Sequence, residues 1–376
     1  MKPIQMVDLI GQYQDFKAEL AESLNQILDT AAFINGPEVK AFQAELQDYL
    51  GVKHVIPCAN GTDALQIAMM AAGLKPGDEV ICPNFTYIAT AEVIALLGLK
   101  LVLCDVEYDT FNLDPAQLEA LITPKTKAIV PVHLYGQCAN MAPILEIAQR
   151  HNLLVFEDTA QAIGAHYTHP NGNVSVAGTM GQAGATSFYP SKNLGAYGDA
   201  GALFTNDDAF AAELRMIANH GQQRQYYFDR VGVNSRLDSI QAAILRHKLR
   251  RLDSYIAARQ AAADFYDAAL ADVPGLQTPA RAPWSTHVFH QYTLRVAGGR
   301  RDALQAHLKD NGIPSVVFYP LAVHQHAPYA DARFRDEAYP VTMRLCQEVL
   351  SLPMHTELTD DQLAYICQAV RAFLEA

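Results

Sequence analysis

The chain has 376 residues, half of them apolar and 18% charged, enough to fill more than one core and too apolar for a disordered chain. Its 40 Asp and Glu outnumber its 28 Lys and Arg, for a net charge of −12. That surface repels phosphate polymers and anionic lipid, so neither nucleic acid nor membrane is expected as a partner. Met1 to Gly11 hold no apolar stretch of secretory length. The longest near-apolar run, Ala91 to Val106, is broken by Glu92 and Lys100 and is shorter than a bilayer span. Cys58, Cys82, Cys104, Cys138, Cys346 and Cys367 include no Cys-x-x-Cys pair, the pattern of reduced, buried thiols in a cytoplasmic protein. His324-x-His326 and His287-x-x-His290 lack a third ligand, and no metal site is expected.

From about residue 50, short apolar runs alternate with amphipathic stretches. Val52–Pro57, Glu79–Cys82, Lys100–Val106, Ala128–Leu134 and Leu153–Glu157 read as buried strands. Between them, Asp63–Ala72, Ile88–Leu97, Pro115–Ile122 and Ala142–Arg150 carry helical spacing. Such alternation argues a mostly parallel sheet covered by helices on both faces. Ala185–Tyr189 and Ala202–Thr205 flank a glycine-rich loop and are expected in the same sheet. Ser235 to about Leu270 reads as one long helical stretch. Pro274, Pro279 and Pro283 then mark a connection to a second unit: a strand (Phe289–Val296), a helix (Arg301–Asn311), a strand (Pro314–Tyr319) and a terminal helix (Asp360–Leu374). The expected fold class is α/β, with a large domain and its N-terminal arm over residues 1–250 and a smaller C-terminal α+β domain over 251–376.

In open α/β sheets ligands bind beyond the carboxyl ends of the strands, and four strand exits here carry unusual residues. Asn60-Gly61-Thr62 opens a helix, where backbone N–H groups and a hydroxyl can cup a phosphate, although an ordinary helix cap uses the same residues. Glu157-Asp158-Thr159-Ala160-Gln161 ends a buried strand with acids. These could be structural, or one could hold the proton of a heterocycle nitrogen. Ser187-Phe188-Tyr189-Pro190-Ser191-Lys192 puts a lysine at a crowded exit, where a solvated charge and a Schiff-base amine are the alternatives. Phe85-Thr86-Tyr87 offers an aromatic ring for the core or for a planar cofactor. Together these supply a phosphate cup, a stacking ring, a carboxylate and an amine, the equipment for pyridoxal 5′-phosphate.

On these motifs, with Ala59-Asn60-Gly61-Thr62-Asp63-Ala64-Leu65 and Gly232-Val233-Asn234-Ser235-Arg236-Leu237-Asp238, the sequence resembles the DegT/DnrJ/EryC1/StrS family of sugar-nucleotide aminotransferases. The resemblance runs from Met6-Val7-Asp8-Leu9 to Ser351-Leu352-Pro353-Met354-His355. It implies the pyridoxal-phosphate transferase fold of type I, like aspartate aminotransferase. It also implies that Lys192 carries the cofactor as a Schiff base and shuttles the proton, and that Asp158 pairs with the ring nitrogen. Gln161 would bond the phenolic oxygen, Tyr87 would stack on the ring, and Gly61, Thr62 and Ser187 would hold the phosphate. Asn234 would reach over from a second subunit, making an obligate homodimer with shared active sites. Relatives that perform dehydration carry histidine in place of the lysine, so Lys192 argues against that branch.

The family suggests L-glutamate as amino donor and a nucleotide-linked keto sugar as acceptor. Cys58–Gln66, Pro131–Cys138 and Val231–Leu245 look closest to enzymes acting on UDP-2-acetamido-2-deoxy-3-oxo-D-glucuronate, whose 3-amino product enters surface polysaccharide such as lipopolysaccharide O-antigen. A uronate carboxylate needs a cation, and Arg236 is the candidate clamp, with Tyr319 as a further sugar contact. Relatives of this subgroup often show His-Tyr-Pro where this chain has Phe318-Tyr319-Pro320. Phe318 donates no hydrogen bond, which keeps a dTDP-linked 3-keto-6-deoxyhexose as an alternative. Two other classes stand beside these: a dinucleotide-dependent oxidoreductase, which would want Gly-x-Gly-x-x-Gly after the first strand, and a non-catalytic sugar-nucleotide binding or regulatory protein on the same fold.

Overall fold

The computed structural model describes residues 2–376. Three helices open the chain: α1 (Leu9–Gln14), α2 (Lys17–Thr30) and α3 (Pro37–Leu50). Pro37 begins α3, where its missing N–H leaves no hydrogen bond unmade. Strands and helices then alternate as β1 (His54–Cys58), α4 (Gly61–Ala71), β2 (Glu79–Pro83), α5 (Ala89–Leu96), β3 (Lys100–Cys104), α6 (Leu118–Leu121), β4 (Thr126–Ile129), α7 (Met141–His151) and β5 (Leu154–Asp158). A small hairpin, β6 (His166–Thr168) and β7 (Val174–Val176), precedes β8 (Ala183–Ser187), β9 (Gly201–Thr205) and α8 (Asp208–Ala218).

Seven of these strands form one sheet in the order β1-β9-β8-β5-β4-β2-β3. The pairs from β8 across to β3 are parallel, whereas β9 runs antiparallel to both of its neighbours. Successive residues of each strand enter opposite cores, as the pleat requires. Val55, Ile81, Ile129 and Val155 pack with Phe42 of α3, Ile144 of α7 and, further along the chain, Leu245. Ile56, Val80, Ala128 and Phe156 pack with Leu65 of α4, Val93 of α5 and Leu214 of α8. Both faces are covered, which is why these strands read as nearly continuous apolar runs.

After an exposed hairpin, β10 (Gln222–Arg224) and β11 (Tyr227–Phe228), come α9 (Ser239–Leu249) and α10 (Leu252–Leu270). The single helical stretch expected from Ser235 is therefore two helices with an extended lead-in. Ser235 is held out of helix because its N–H donates to Ala218 O (3.0 Å) and its hydroxyl accepts from Ala59 N–H (3.0 Å). The break between the helices falls at Arg251 (φ −109°, ψ −2°), whose guanidinium donates to His247 O and to Glu19 of α2, each at 2.9 Å.

The rest of the chain holds β12 (Leu276–Gln277), β13 (Tyr292–Val296), α11 (Arg301–Asp310), α12 (Pro340–Glu348), β14 (Val349–Leu352) and α13 (Asp360–Leu374). The three strands form an antiparallel sheet, β12-β13-β14. Its core contains Tyr292, Leu304, Leu350 and Ile366, and Ile4 near the N-terminus packs against it. Helix α10 serves two cores: Leu252 and Ile256 pack under the large sheet, Ala262 to Leu270 with the small one. The expected strand Pro314–Tyr319 is not one. Only Val316 pairs, with Ser351, before the chain turns toward the large sheet. Among the described residues no helix is long and apolar enough to cross a membrane.

Candidate active site

The carboxyl ends of β1, β2, β5 and β8 bring the four unusual segments to one cleft. Asn60 caps α4, its side chain accepting from Asp63 N–H at 2.8 Å, so Gly61 and Thr62 form the helix's first turn with N–H groups that the helix itself does not use. A Cβ at Gly61 would lie 2.7 Å from Ser187 Cβ, so glycine is what lets this helix start press against the end of β8. The result is a cradle of backbone N–H groups beside a serine hydroxyl, suited to a phosphate.

Asp158 closes β5 and is 7% exposed. Its Oδ2 accepts from the hydroxyl of Thr90 on α5 at 2.9 Å and its Oδ1 from Ala160 N–H at 3.0 Å. Burial pushes this carboxyl up from its ordinary range, while those two hydrogen bonds and the nearby Lys192 pull it back. Lys192 follows the end of β8, half-buried near Asp158 and with no ion pair among the described residues. Desolvation pushes its amine down to about 8, against the pull of Asp158. A low-pKa amine beside a carboxylate with room for another partner can do nucleophilic and proton-transfer chemistry.

Glu157, next to Asp158 in sequence, faces the other side of the strand. It is wholly buried and accepts from the N–H groups of Gly178, Met180 and Gly181 at 2.8, 2.7 and 2.6 Å. His133 Nε2 also approaches it at 2.9 Å, and because His133 Nδ1 accepts from Ala139 N–H, the ring proton is on Nε2 and is donated to Glu157. With every lone pair engaged, Glu157 braces the strand end.

Gln161 accepts from Tyr135 N–H at 2.7 Å and donates to the Tyr319 hydroxyl at 3.1 Å, which carries the C-terminal unit into the cleft. Tyr87 stands at the mouth, 59% exposed, with its ring 6.3 Å from that of Tyr319. Burial pushes the Tyr319 phenol up. Asn234 and Arg236 are not drawn into this cleft. Asn234 is exposed, and Arg236 lines a separate groove with Asn35, Gln43 and Arg215. Arg236 has no ion pair with Asp238 or any other acid among the described residues. Two participants were missed by the sequence reading. Thr90 lay unmarked in a helix, since nothing local reveals that α5 crosses the end of β5. Tyr135 lay inside the noted segment Pro131–Cys138 without a role.

A family model described as the DegT/DnrJ/EryC1/StrS aminotransferase family matches residues 14–371. A pleiotropic regulatory protein of Geobacillus stearothermophilus is 45% identical, covering 98% of each chain. A UDP-2-acetamido-2-deoxy-3-oxo-D-glucuronate aminotransferase of Pseudomonas aeruginosa is 46% identical, covering 98% of this chain and 99% of its own. A dTDP-3-amino-3,4,6-trideoxy-alpha-D-glucose transaminase of Streptomyces venezuelae is 40% identical, covering 99% and 96%. The crystal structure of S. venezuelae DesV in complex with a ketimine intermediate superposes with a TM-score of 0.95 at 38% identity, covering 100% of both chains. The chain belongs to the DegT/DnrJ/EryC1/StrS aminotransferase family, and it is a sugar aminotransferase that works with pyridoxal 5′-phosphate.

Proposed function

We propose that this protein transfers the amino group of L-glutamate to the 3-keto carbon of UDP-2-acetamido-2-deoxy-3-oxo-D-glucuronate, as a cytoplasmic homodimer supplying surface polysaccharide. The observation that carries the catalytic part is the pairing of a low-pKa amine, Lys192, with a buried carboxylate, Asp158, in one cleft beside a helix start. These residues fit the cofactor: the cradle at Gly61, Thr62 and Ser187 takes the phosphate with Asn234 of the partner subunit, Asp158 takes the ring nitrogen, and Lys192 the aldehyde. Gln161 has a second amide hydrogen for the phenolic oxygen, and Tyr87 is free to lie on the ring. Bound there, pyridoxal phosphate would supply a carrier for the amino group and an electron sink for the pair left at the substrate carbon.

The chain's own residues do the rest. Lys192 Nζ, unprotonated more readily than an ordinary lysine, takes the proton from the α-carbon of glutamate and in the return half delivers one to carbon 3 of the sugar. Asp158 keeps the ring nitrogen protonated throughout, and Thr90 keeps Asp158 charged and oriented. Thr90→Val is expected to remove that hydrogen bond to a charged group, worth about 1.5–3 kcal/mol, and so to lower kcat roughly ten- to a hundredfold. Without the hydroxyl the Asp158 carboxyl rises further, so the acid limb of the pH–rate profile moves to higher pH. A variant with unchanged kcat and pH profile would leave Thr90 a packing residue.

The substrate part rests on the relative from Pseudomonas aeruginosa and on Arg236. A uronate carboxylate leaves water only where a cation receives it, and among the described residues Arg236 is a cation without a partner acid. Buried Ser235 lies between Asn234 and Arg236 in an extended segment, so those two side chains leave the chain on the same side. Arg236→Met is expected to weaken the sugar half-reaction by about 2–5 kcal/mol while sparing the glutamate half-reaction. Stopped-flow absorbance of the bound cofactor separates the two. Equal losses, or none, would discard Arg236 as the clamp. Phe318 and the Streptomyces relative favour the second reading, a dTDP-linked 3-keto-6-deoxyhexose, and turnover of that sugar in preference to the UDP-linked uronate would establish it.

A further inference from the structure

The segment Pro131–Cys138 carries a turn that this chemistry leaves unused. Tyr135 sits in it at φ +58°, in the left-handed region where a bulky side chain is strained. Such a conformation persists only where its surroundings over-determine it, and such residues concentrate at active sites and ligand clamps. Here the surroundings do so. Leu134 N–H donates to Asn112 Oδ1 at 2.9 Å, Val288 N–H to Gly136 O at 2.8 Å, and Gln291 N–H to Tyr135 O at 3.3 Å. Gly136 follows at φ +111°, and a Cβ there would come within 2.9 Å of the backbone nitrogens of Phe289 and His290. Only glycine lets the two segments lie this close.

What the turn secures is a pair of contacts to two different parts of the cleft. The backbone N–H of Tyr135 holds Gln161 Oε1, and its hydroxyl donates to Phe318 O, 183 positions along the chain. The ring is 2% exposed and stands edge-on to Phe111 with centroids 5.1 Å apart. Phenylalanine would fill that space without burying a hydroxyl, so the hydroxyl is accounted for by its polar partners, Phe318 O, which accepts from it, and the Thr293 side chain beside it. We propose that Tyr135 is the positioning residue of the sugar pocket: its hydroxyl tethers the Phe318–Tyr319 segment to the large sheet while its N–H aims Gln161 at the same Tyr319. The assignment rests on the proposed function only in placing the sugar at Tyr319.

Tyr135→Phe in the full chain tests it, because it removes the hydroxyl and keeps the ring. In the cofactor-free protein, hydrogen–deuterium exchange over residues 316–322 should speed up about tenfold while the melting temperature falls by no more than about 2 °C, the loss of one local hydrogen bond. In the holoenzyme, KM for the keto-sugar nucleotide should rise about five- to tenfold while the glutamate half-reaction stays within about twofold. Unchanged exchange over 316–322 overturns the tether. Faster exchange with both half-reactions slowed alike overturns the sugar-pocket role and leaves a structural one. If the wild-type protein rejects the UDP-linked uronate, the substrate reading fails by itself. The exchange experiment is unaffected, and the kinetic split is then read with the dTDP-linked keto sugar.

Discussion

Lys192→Ala should abolish transamination and leave the cofactor-free protein at least as stable as the wild type. The amine has no ion pair among the described residues, and burial pushes it from its usual 10.5 down to about 8. Holding it charged at neutral pH then costs up to roughly 3 kcal/mol, about 1.4 for each pKa unit. Because the folded pKa lies below the unfolded one, the unfolded chain binds more protons between pH 8 and 10.5, and wild-type stability rises with pH across that window. Alanine removes the group, so the variant should melt above the wild type at pH 7, with the gap closing toward pH 10.5. A residue whose removal stabilises the fold is there for chemistry. Lys248 is the internal control. It is also buried and pushed down to about 7, yet it is 1% exposed and packed with its ammonium 4.6 Å from the centre of the Tyr197 ring. Borohydride should fix the cofactor on Lys192, and the rate of cofactor uptake by the apo protein should rise with pH and level off above about 8. Label on Lys248, Lys53 or Lys75, or turnover within about tenfold of wild type, would remove Lys192 from the mechanism.

The contrast between these two lysines shows what could be read from the sequence and what could not. Strand exits, the helix start at Asn60 and the acid at Asp158 are local features, legible because apolar period and capping residues fix them within a few positions. The β1 to β5 strands and the terminal helix Asp360–Leu374 were legible for the same reason. Thr90 and Tyr135 act across the fold, on partners 68 and 183 residues away, and no local pattern encodes such a contact. The division of Ser235–Leu270 into an extended lead-in and two helices was hidden likewise. It depends on Ala59 and Ala218 taking the bonds of Ser235, and on Glu19 and His247 holding Arg251. The segment Pro314–Tyr319 has strand composition but only one pairing residue, since Tyr319 is drawn to Gln161. Glu157 and Asp158, alike in sequence, were separated by the pleat alone: one braces the strand with four donors, the other keeps room for a ligand.

Asp158→Asn should fold normally and lose several orders of magnitude in rate, about 1.4 kcal/mol of transition-state stabilisation for each factor of ten. Folding survives because the local hydrogen bonds can be remade. The asparagine oxygen accepts from Ala160 N–H, and its amide donates to the Thr90 hydroxyl, which rotates to accept. The variant also removes a buried carboxylate that desolvation already pushes up, so the cofactor-free protein should not be less stable at neutral pH. What cannot be remade is the charge. A neutral amide gives the ring nitrogen no reason to keep its proton, and without that proton the ring is a poor sink for the electron pair left at the substrate carbon. Both half-reactions pass through that demand, so both should slow together, unlike the split expected for Arg236→Met or Tyr135→Phe. A cofactor analogue methylated on the ring nitrogen, and therefore permanently cationic, should restore part of the variant's rate and slow the wild type. If Asp158→Asn stays within about tenfold of wild type, or the analogue gives it no recovery, the partner of the ring nitrogen lies elsewhere in the cleft.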